Sequence, residues 1–143
     1  MVPAMSLVSA AAPAQQLQIA SDADVVRVRQ AVRALAIAAA LSIVDQTKLV
    51  TAASELARNT LVHGGGGSAR LERVVNGVRT GIRATFVDDG PGIADVERAL
   101  AGGNSTAGGL GLGLSGSRRL VDEFELETSR GTGTRVSVTK WKR

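Results

Sequence analysis

At 143 residues and 44% hydrophobic content, the chain is long enough to build one core, so a single compact domain is expected. A formal charge of +4 suits anionic ligands or an acidic protein surface, but the charges are spread along the chain with no basic block. Aromatic residues make up 2%, and Phe86, Phe124 and Trp141 are too few for a nucleic-acid stacking platform, while the lack of cysteine excludes disulfides and thiolate metal sites and points to the cytoplasm.

Residues 1–16, "MVPAMSLVSAAAPAQQ", contain neither Lys nor Arg, the first of which is Arg27, and so lack the positive region of a secretory signal. They read as a disordered leader, and residues 17–143 as the domain. Leu17 and Ile19 flank Gln18 in a short alternation that suits an edge strand, and Ser21 or Asp22 then offers an N-cap for a helix from about Ala23 to Ala40. The apolar run "AVRALAIAAALSIV" carries Arg33 and is shorter than the roughly 20 residues a bilayer crossing needs, so no membrane span is expected. A second helix starts near Asp45, with Leu49, Ala53, Leu56 and Thr60 at helical spacing, and stops at the glycines 64–67.

The period then changes. "ARLERVV" and "VRTGIRATFV" alternate as strands and meet at Asn76 and Gly77, a strong hairpin signal. A short helix from Ala94 to Leu100 and a glycine-rich loop from Gly102 follow. A third helix, capped by Ser115 and running to about Glu123, precedes a closing hairpin of "FELETS" and "TRVSVTKW" around "RGTG".

Four stretches carry candidate chemistry. Glu55 and Asn59 lie four apart on the second helix, so a carboxylate and an amide oxygen share one face. An amide oxygen can complete the shell of a hard cation such as Mg²⁺, and the carboxylate can orient or deprotonate a nucleophile; a plain solvated helix face has the same residues. "DDGPG" places Asp88 before Gly90 and Gly92, a carboxylate for an exocyclic amine and glycines for a flat ring, or simply a strand-ending turn. Gly109, Gly111 and Gly113 precede a helix, where backbone N–H groups can meet phosphate, while the alternating leucines pin the loop. They fit neither the dinucleotide fingerprint nor the Walker A pattern. The last stretch, "GTGT" at 131–134, suits a hairpin turn. His63, the single histidine, follows the second helix and reads as a capping residue, and the arginines at 27, 29 and 33 as a candidate partner surface.

Taken in order, these stretches resemble the N, G1, G2 and G3 boxes of the GHKL superfamily of ATP-binding proteins. Within it, "SELARN", "DDGPGI", "GGLGLGLSGSRRLVDEF" and "GTGTRVSVTKW" are most similar to the small serine/threonine kinases of bacterial partner-switching pathways. The resemblance implies the Bergerat fold, an α/β two-layer sandwich with a mixed, mostly antiparallel sheet covered by helices on one face. It implies ATP and Mg²⁺ as cofactors, with Asn59 as the Mg²⁺ ligand, Glu55 as general base and Asp88 on the adenine amino group. By the same resemblance Gly90 and Gly92 shape the adenine pocket, Gly109, Gly111 and Gly113 wrap the phosphates, Thr134 helps at the adenine end, and "AGGNSTAGG" is a lid. The partners it implies are STAS-domain proteins as substrates and a PP2C-type phosphatase activated by binding. An anti-sigma factor that binds a sigma factor and phosphorylates its antagonist would share this ATP site. A detached sensor-histidine-kinase domain fits less well, because the chain has no room for a phospho-acceptor hairpin.

Overall fold

The computed structural model describes residues 8–10, 13–93, 96–101, 113–129 and 131–143. Gly109, Gly111 and the lid segment beyond Ala101 lie outside the described residues. In chain order the elements are β1 (Val8–Ala10), β2 (Gln15–Ile19), α1 (Asp22–Ala38), α2 (Ile43–Val62), β3 (Gly67–Asn76), β4 (Arg79–Asp88), α3 (Val96–Ala101), α4 (Leu114–Leu120), β5 (Glu123–Ser129) and β6 (Gly133–Trp141). The strand order is β1-β3-β4-β6-β5, with β2 also on β3. Since β4 pairs along all of β3, β1 and β2 must share its other edge. Every described pairing is antiparallel, the fully antiparallel limit of the mostly antiparallel sheet expected from the sequence.

Strand alternation decides which face is covered. Ile19, Ala69, Leu71, Ile82, Ala84, Phe86, Val136 and Val138 share one face and are buried beneath Val25, Val28, Val32 and Ala36 of α1 and Leu49, Ala53 and Leu56 of α2. Both long helices start on a serine: Ser21 Oγ accepts from the Asp24 N–H at 3.3 Å and Ser42 Oγ from the Asp45 N–H at 3.1 Å. The cap of α2 therefore lies three residues before the expected start at Asp45, because the apolar pair Ile43 and Val44 occupies the exposed first turn.

Three boundaries differ from the sequence expectation, each for a local reason. Part of the expected disordered leader is ordered: residues 8–10 and 15–16 pair with β3, whose free edge needs hydrogen-bond partners. The first hairpin turns at Gly77–Val78, with Asn76 still paired to Arg79; Gly77 has φ +62°, as the first central residue of a primed turn requires. Finally, α4 is not capped by Ser115. Gly113 opens it in a left-handed conformation, and the helix stops at Leu120 because Val121 is extended and the Asp122 N–H is taken by the Thr139 carbonyl at 2.9 Å.

A buried ionic cluster fixes the N-terminal end of α2. Lys140, 3% exposed on the covered sheet face, lies 3.5 Å from Asp45 and 3.4 Å from Asp122. Asp122 also accepts the Trp141 N–H at 2.7 Å and pairs with Arg143 at 2.5 Å. Without Lys140, the carboxylates of Asp45 and Asp122 keep only the exposed Arg143, at 4.0 and 2.5 Å, so Lys140→Met is expected to destabilise the fold by about 3 kcal/mol. Urea denaturation checks this; an unchanged midpoint would show that the cluster contributes nothing to stability.

Candidate functional site

The C-terminal half of α2, the end of β4, the loop after it, the start of α4 and the start of β6 close around one cavity of about 200 Å³. Asn59, Thr60, His63 and Gly64 come from α2 and its exit, Asp88 from β4, Gly92 and Ile93 from the loop, and Thr134 and Val136 from β6. Leu56, Phe86 and Leu114 give it an apolar floor. Four sequence-selected residues, Asn59, Asp88, Gly92 and Thr134, thus reach one space from α2, β4, the loop after β4 and β6.

Asp88 is half-buried and closely held. Its Oδ1 accepts the Gly90 N–H at 2.9 Å, and its backbone is paired with Thr134. A Cβ on Gly64 would lie 2.6 Å from Asp88 Oδ2, and one on Gly90 would lie 2.7 Å from the Gly64 Cα. Behind the strand end, a Cβ on Gly133 would collide with the Asp88 carbonyl oxygen. Burial pushes the Asp88 carboxyl above the ordinary carboxylate value; the N–H groups of Gly90 and Thr134 oppose this, and the charge on Asp89 adds to it. A flat ring donating an amine to Asp88 meets a carboxylate whose position is already set.

Glu55 stands apart from the cavity wall. It is exposed one turn before Asn59, and its carboxylate lies against the entry to α4: a Cβ on Gly113, at φ +70°, would be 2.8 Å from Glu55 Oε2. Packing of α4 on α2 therefore brings the last described glycine of the loop to the carboxylate. The Ser117 N–H donates to the Gly113 carbonyl at 2.8 Å and holds that turn.

Other functional positions escaped the sequence reading. Gly64 and Gly67 read as a helix stop, yet both are contact residues, with a Cβ on Gly67 falling 2.9 Å from Thr60 Cγ2. Thr128 was not singled out, although its hydroxyl accepts the Ile93 N–H at 2.9 Å, donates to the Gly133 carbonyl at 3.0 Å and lies 2.9 Å from Thr134 Oγ1. It ties the loop after β4 to the β5–β6 hairpin. The Gly131 N–H adds a bond to the Pro91 carbonyl at 2.7 Å. His63 is the C-cap of α2 as expected, its N–H donating to the Asn59 carbonyl at 2.9 Å, but its side chain also lines the cavity. Only the spacing of a glycine run after a helix hinted at these contacts.

The chemistry of the cavity fits a nucleotide: an apolar slot, one fixed acceptor and glycines where side chains would close the space. Among the described residues, no three His, Cys, Asp or Glu side chains gather into a metal cage.

Residues 44–143 match the family described as histidine kinase-, DNA gyrase B-, and HSP90-like ATPase. The chain is 40% identical over 127 residues to the serine/threonine-protein kinase RsbT of Bacillus subtilis, a match covering 89% of this chain and 96% of that one. It is 31% identical over 97 residues to an anti-sigma F factor of Thermoanaerobacter, covering 64% and 66% respectively. Among solved structures, the RsbU and RsbW domains of Rv1364c from Mycobacterium tuberculosis share the fold with a TM-score of 0.64 at 21% identity, over 92% of this chain and 33% of that one. A histidine kinase domain from Erythrobacter litoralis follows with a TM-score of 0.52 at 22% identity, over 82% and 59%. The chain thus carries an ATPase domain and is homologous over most of its length to a protein kinase. No described helix is long and apolar enough to cross a membrane.

The way Asp88 is held governs its protonation and the effect of replacing it or its neighbour Gly64. Its pKa is raised on folding, so the folded state binds the proton more tightly, and the charged form costs stability once pH rises through that pKa. Asp88→Asn is therefore expected to raise the thermal midpoint of the ligand-free protein at neutral pH while weakening ATP binding about tenfold or more, through loss of a charge-assisted hydrogen bond. In the wild type, ATP affinity is expected to fall on acidification at a pH above the ordinary carboxylate value of 3.8. Differential scanning fluorimetry and isothermal titration across pH check both signs. Gly64→Val is expected to displace the carboxylate and weaken ATP binding about tenfold without unfolding the chain, read by the same titration beside a circular dichroism spectrum.

Proposed function

This chain belongs to the histidine kinase-, DNA gyrase B- and HSP90-like ATPase family, and on that premise we propose that it transfers the γ-phosphoryl group of ATP to a Ser or Thr of a STAS-domain protein. Residues 17–143 would be the catalytic unit, working in the cytoplasm. The observation that carries this reading is the position of Glu55, an exposed carboxylate lodged against Gly113 at the end of the glycine loop.

Each residue then has a defined task. Asp88 accepts a hydrogen bond from the adenine amino group, Gly90 and Gly92 let the ring approach, and Thr134 supports that end through Thr128. Gly109, Gly111 and Gly113 would present backbone N–H groups to phosphate, and Asn59 would hold Mg²⁺. When bound, Mg²⁺ neutralises phosphate charge and fixes the phosphate orientation. Glu55 takes the proton of the acceptor hydroxyl as its oxygen bonds to the γ-phosphorus. The bond from that phosphorus to the bridging oxygen breaks, and its electron pair leaves with ADP. Phosphoryl transfer asks the protein mainly for positioning and charge stabilisation, so one carboxylate base is sufficient. Binding and activation of a PP2C-type phosphatase by the same chain is compatible with this role.

A second reading, an anti-sigma factor, is favoured by the 31% identity to an anti-sigma F factor. The test is transfer of labelled γ-phosphate from Mg²⁺-ATP to a STAS-domain protein from the same genome. Glu55→Gln is expected to lower the rate about a hundredfold or more while leaving ATP affinity intact. Full transfer by that variant removes Glu55 from the mechanism, and capture of a sigma factor by the wild type moves the assignment to the second reading.

A further inference from the structure

The helical layer has a one-sided surface charge. Among the described residues of α1, α2 and α4, Asp22 and Glu55 are the only exposed acids, whereas the exposed acids Glu123, Glu125 and Glu127 line up on the edge strand β5. The cations nearest in sequence to Glu55 on its own helix are Lys48 and Arg58, both exposed and neither ion-paired among the described residues. Arg118 and Arg119 add to them from α4, which packs on α2.

On α2 these residues form an ordered strip. Val44, Lys48, Thr51, Glu55, Arg58 and Val62 are all exposed, and steps of four and three residues place them on one outward face. At a rise of 1.5 Å per residue, Lys48 stands about 10 Å before Glu55 along the axis and Arg58 about 5 Å after it. Both ends are apolar, with Val44 and Val62 each 61% exposed. An acceptor hydroxyl can reach the Glu55 carboxylate only from outside the helix, so the residues flanking that hydroxyl must lie over this strip.

The geometry points to the outward face of α2 as the docking strip for the acceptor, and to a partner protein that bears acidic residues on both sides of its Ser or Thr. This rests on the kinase reading above and names the chemistry of its substrate. Lys48 and Arg58 meet the flanking carboxylates, Val44 and Val62 meet apolar residues farther out, and the acceptor is centred on Glu55. A nucleic acid fits less well, since Glu55 at the centre repels phosphate and the ends of the strip are apolar.

The test uses the full chain, the double variant Lys48→Glu/Arg58→Glu and, as probe, a STAS-domain protein that the wild type binds. Four quantities are read: Kd for the probe by calorimetry, KM for the probe, kcat at saturating probe, and Kd for ATP. The expected result is a rise of about tenfold or more in both measures of docking, Kd and KM for the probe, largest at low salt, with kcat and ATP affinity within about twofold. A probe whose flanking acids are reversed to Lys should bind the double variant better than it binds the wild type. Lys48→Gln/Arg58→Gln should shift KM in the same direction by less, with an unchanged thermal midpoint.

Unchanged Kd and KM for the probe overturn the proposal. So does a parallel loss of kcat and ATP affinity, which would put these cations in the nucleotide site, or duplex DNA binding by the wild type that the variant loses while probe binding persists. A probe that is bound by the wild type yet lacks acids around its Ser or Thr overturns it as well. Failure of the kinase reading looks different: the wild type binds the probe but transfers no phosphate, and the calorimetric comparison still decides the docking strip.

Discussion

The site depends on how closely backbone can approach Asp88. Gly64 lies against its carboxylate, Gly90 against Gly64, and Gly133 against its carbonyl oxygen. A methyl group at any of these positions would push apart segments that must meet for the cavity to exist. The carboxylate consequently keeps one orientation with no salt bridge among the described residues to hold it, and the hydrogen bond from the Gly90 N–H completes that restraint. Raising the Asp88 pKa by burial is the energetic cost of this arrangement, and a ligand that donates a hydrogen bond there recovers part of it.

Helix α2 transmits this constraint because it is fixed at both ends. At its start, Asp45 meets Lys140 in a buried cluster with Asp122; at its exit, Thr60 and Gly64 meet Gly67 and Asp88. Buried ion pairs return little net stability after desolvation, but they penalise any shift that separates the charges. A displacement of α2 along its axis would have to break the ionic contacts at one end and the close backbone contacts at the other. Asn59 and His63 therefore reach the cavity from a helix with little freedom to slide.

The parts of this architecture carried by short-range signals were legible in the sequence. Hydrophobic period placed both long helices, strand alternation placed β3 and β4, and the order of four motifs singled out Asn59, Asp88 and Thr134, which line one cavity. The missed features are those in which a residue's role is set by a distant partner. Gly64 looks like a helix stop until the chain returns at Asp88, and Thr128 looks like one more polar strand residue until Ile93 and Gly133 close on its hydroxyl. Gly113 displaced Ser115 as the cap of α4 for a similar reason: the side-chain-free position is the one that must face Glu55. A serine near a helix start is a local cue, and a steric contact from another helix overrode it.

The spacing of Glu55 and Asn59 explains how one helix can serve two partners. Four residues advance the helix by about 400°, so the two side chains point about 40° apart, one turn displaced along the axis. Asn59 is thereby half-buried in the cavity wall, and Glu55 is exposed beside Gly113 at its mouth. A spacing of three would rotate the pair about 60° apart in the opposite sense and carry the carboxylate away from one rim of the apolar stripe toward the other. A spacing of five would leave about 140° between them, on nearly opposite sides of the helix. Only the four-residue step lets a rigid α2 place an amide side chain in the cavity wall and a carboxylate at the exposed mouth beside Gly113, with no loop between them to adjust.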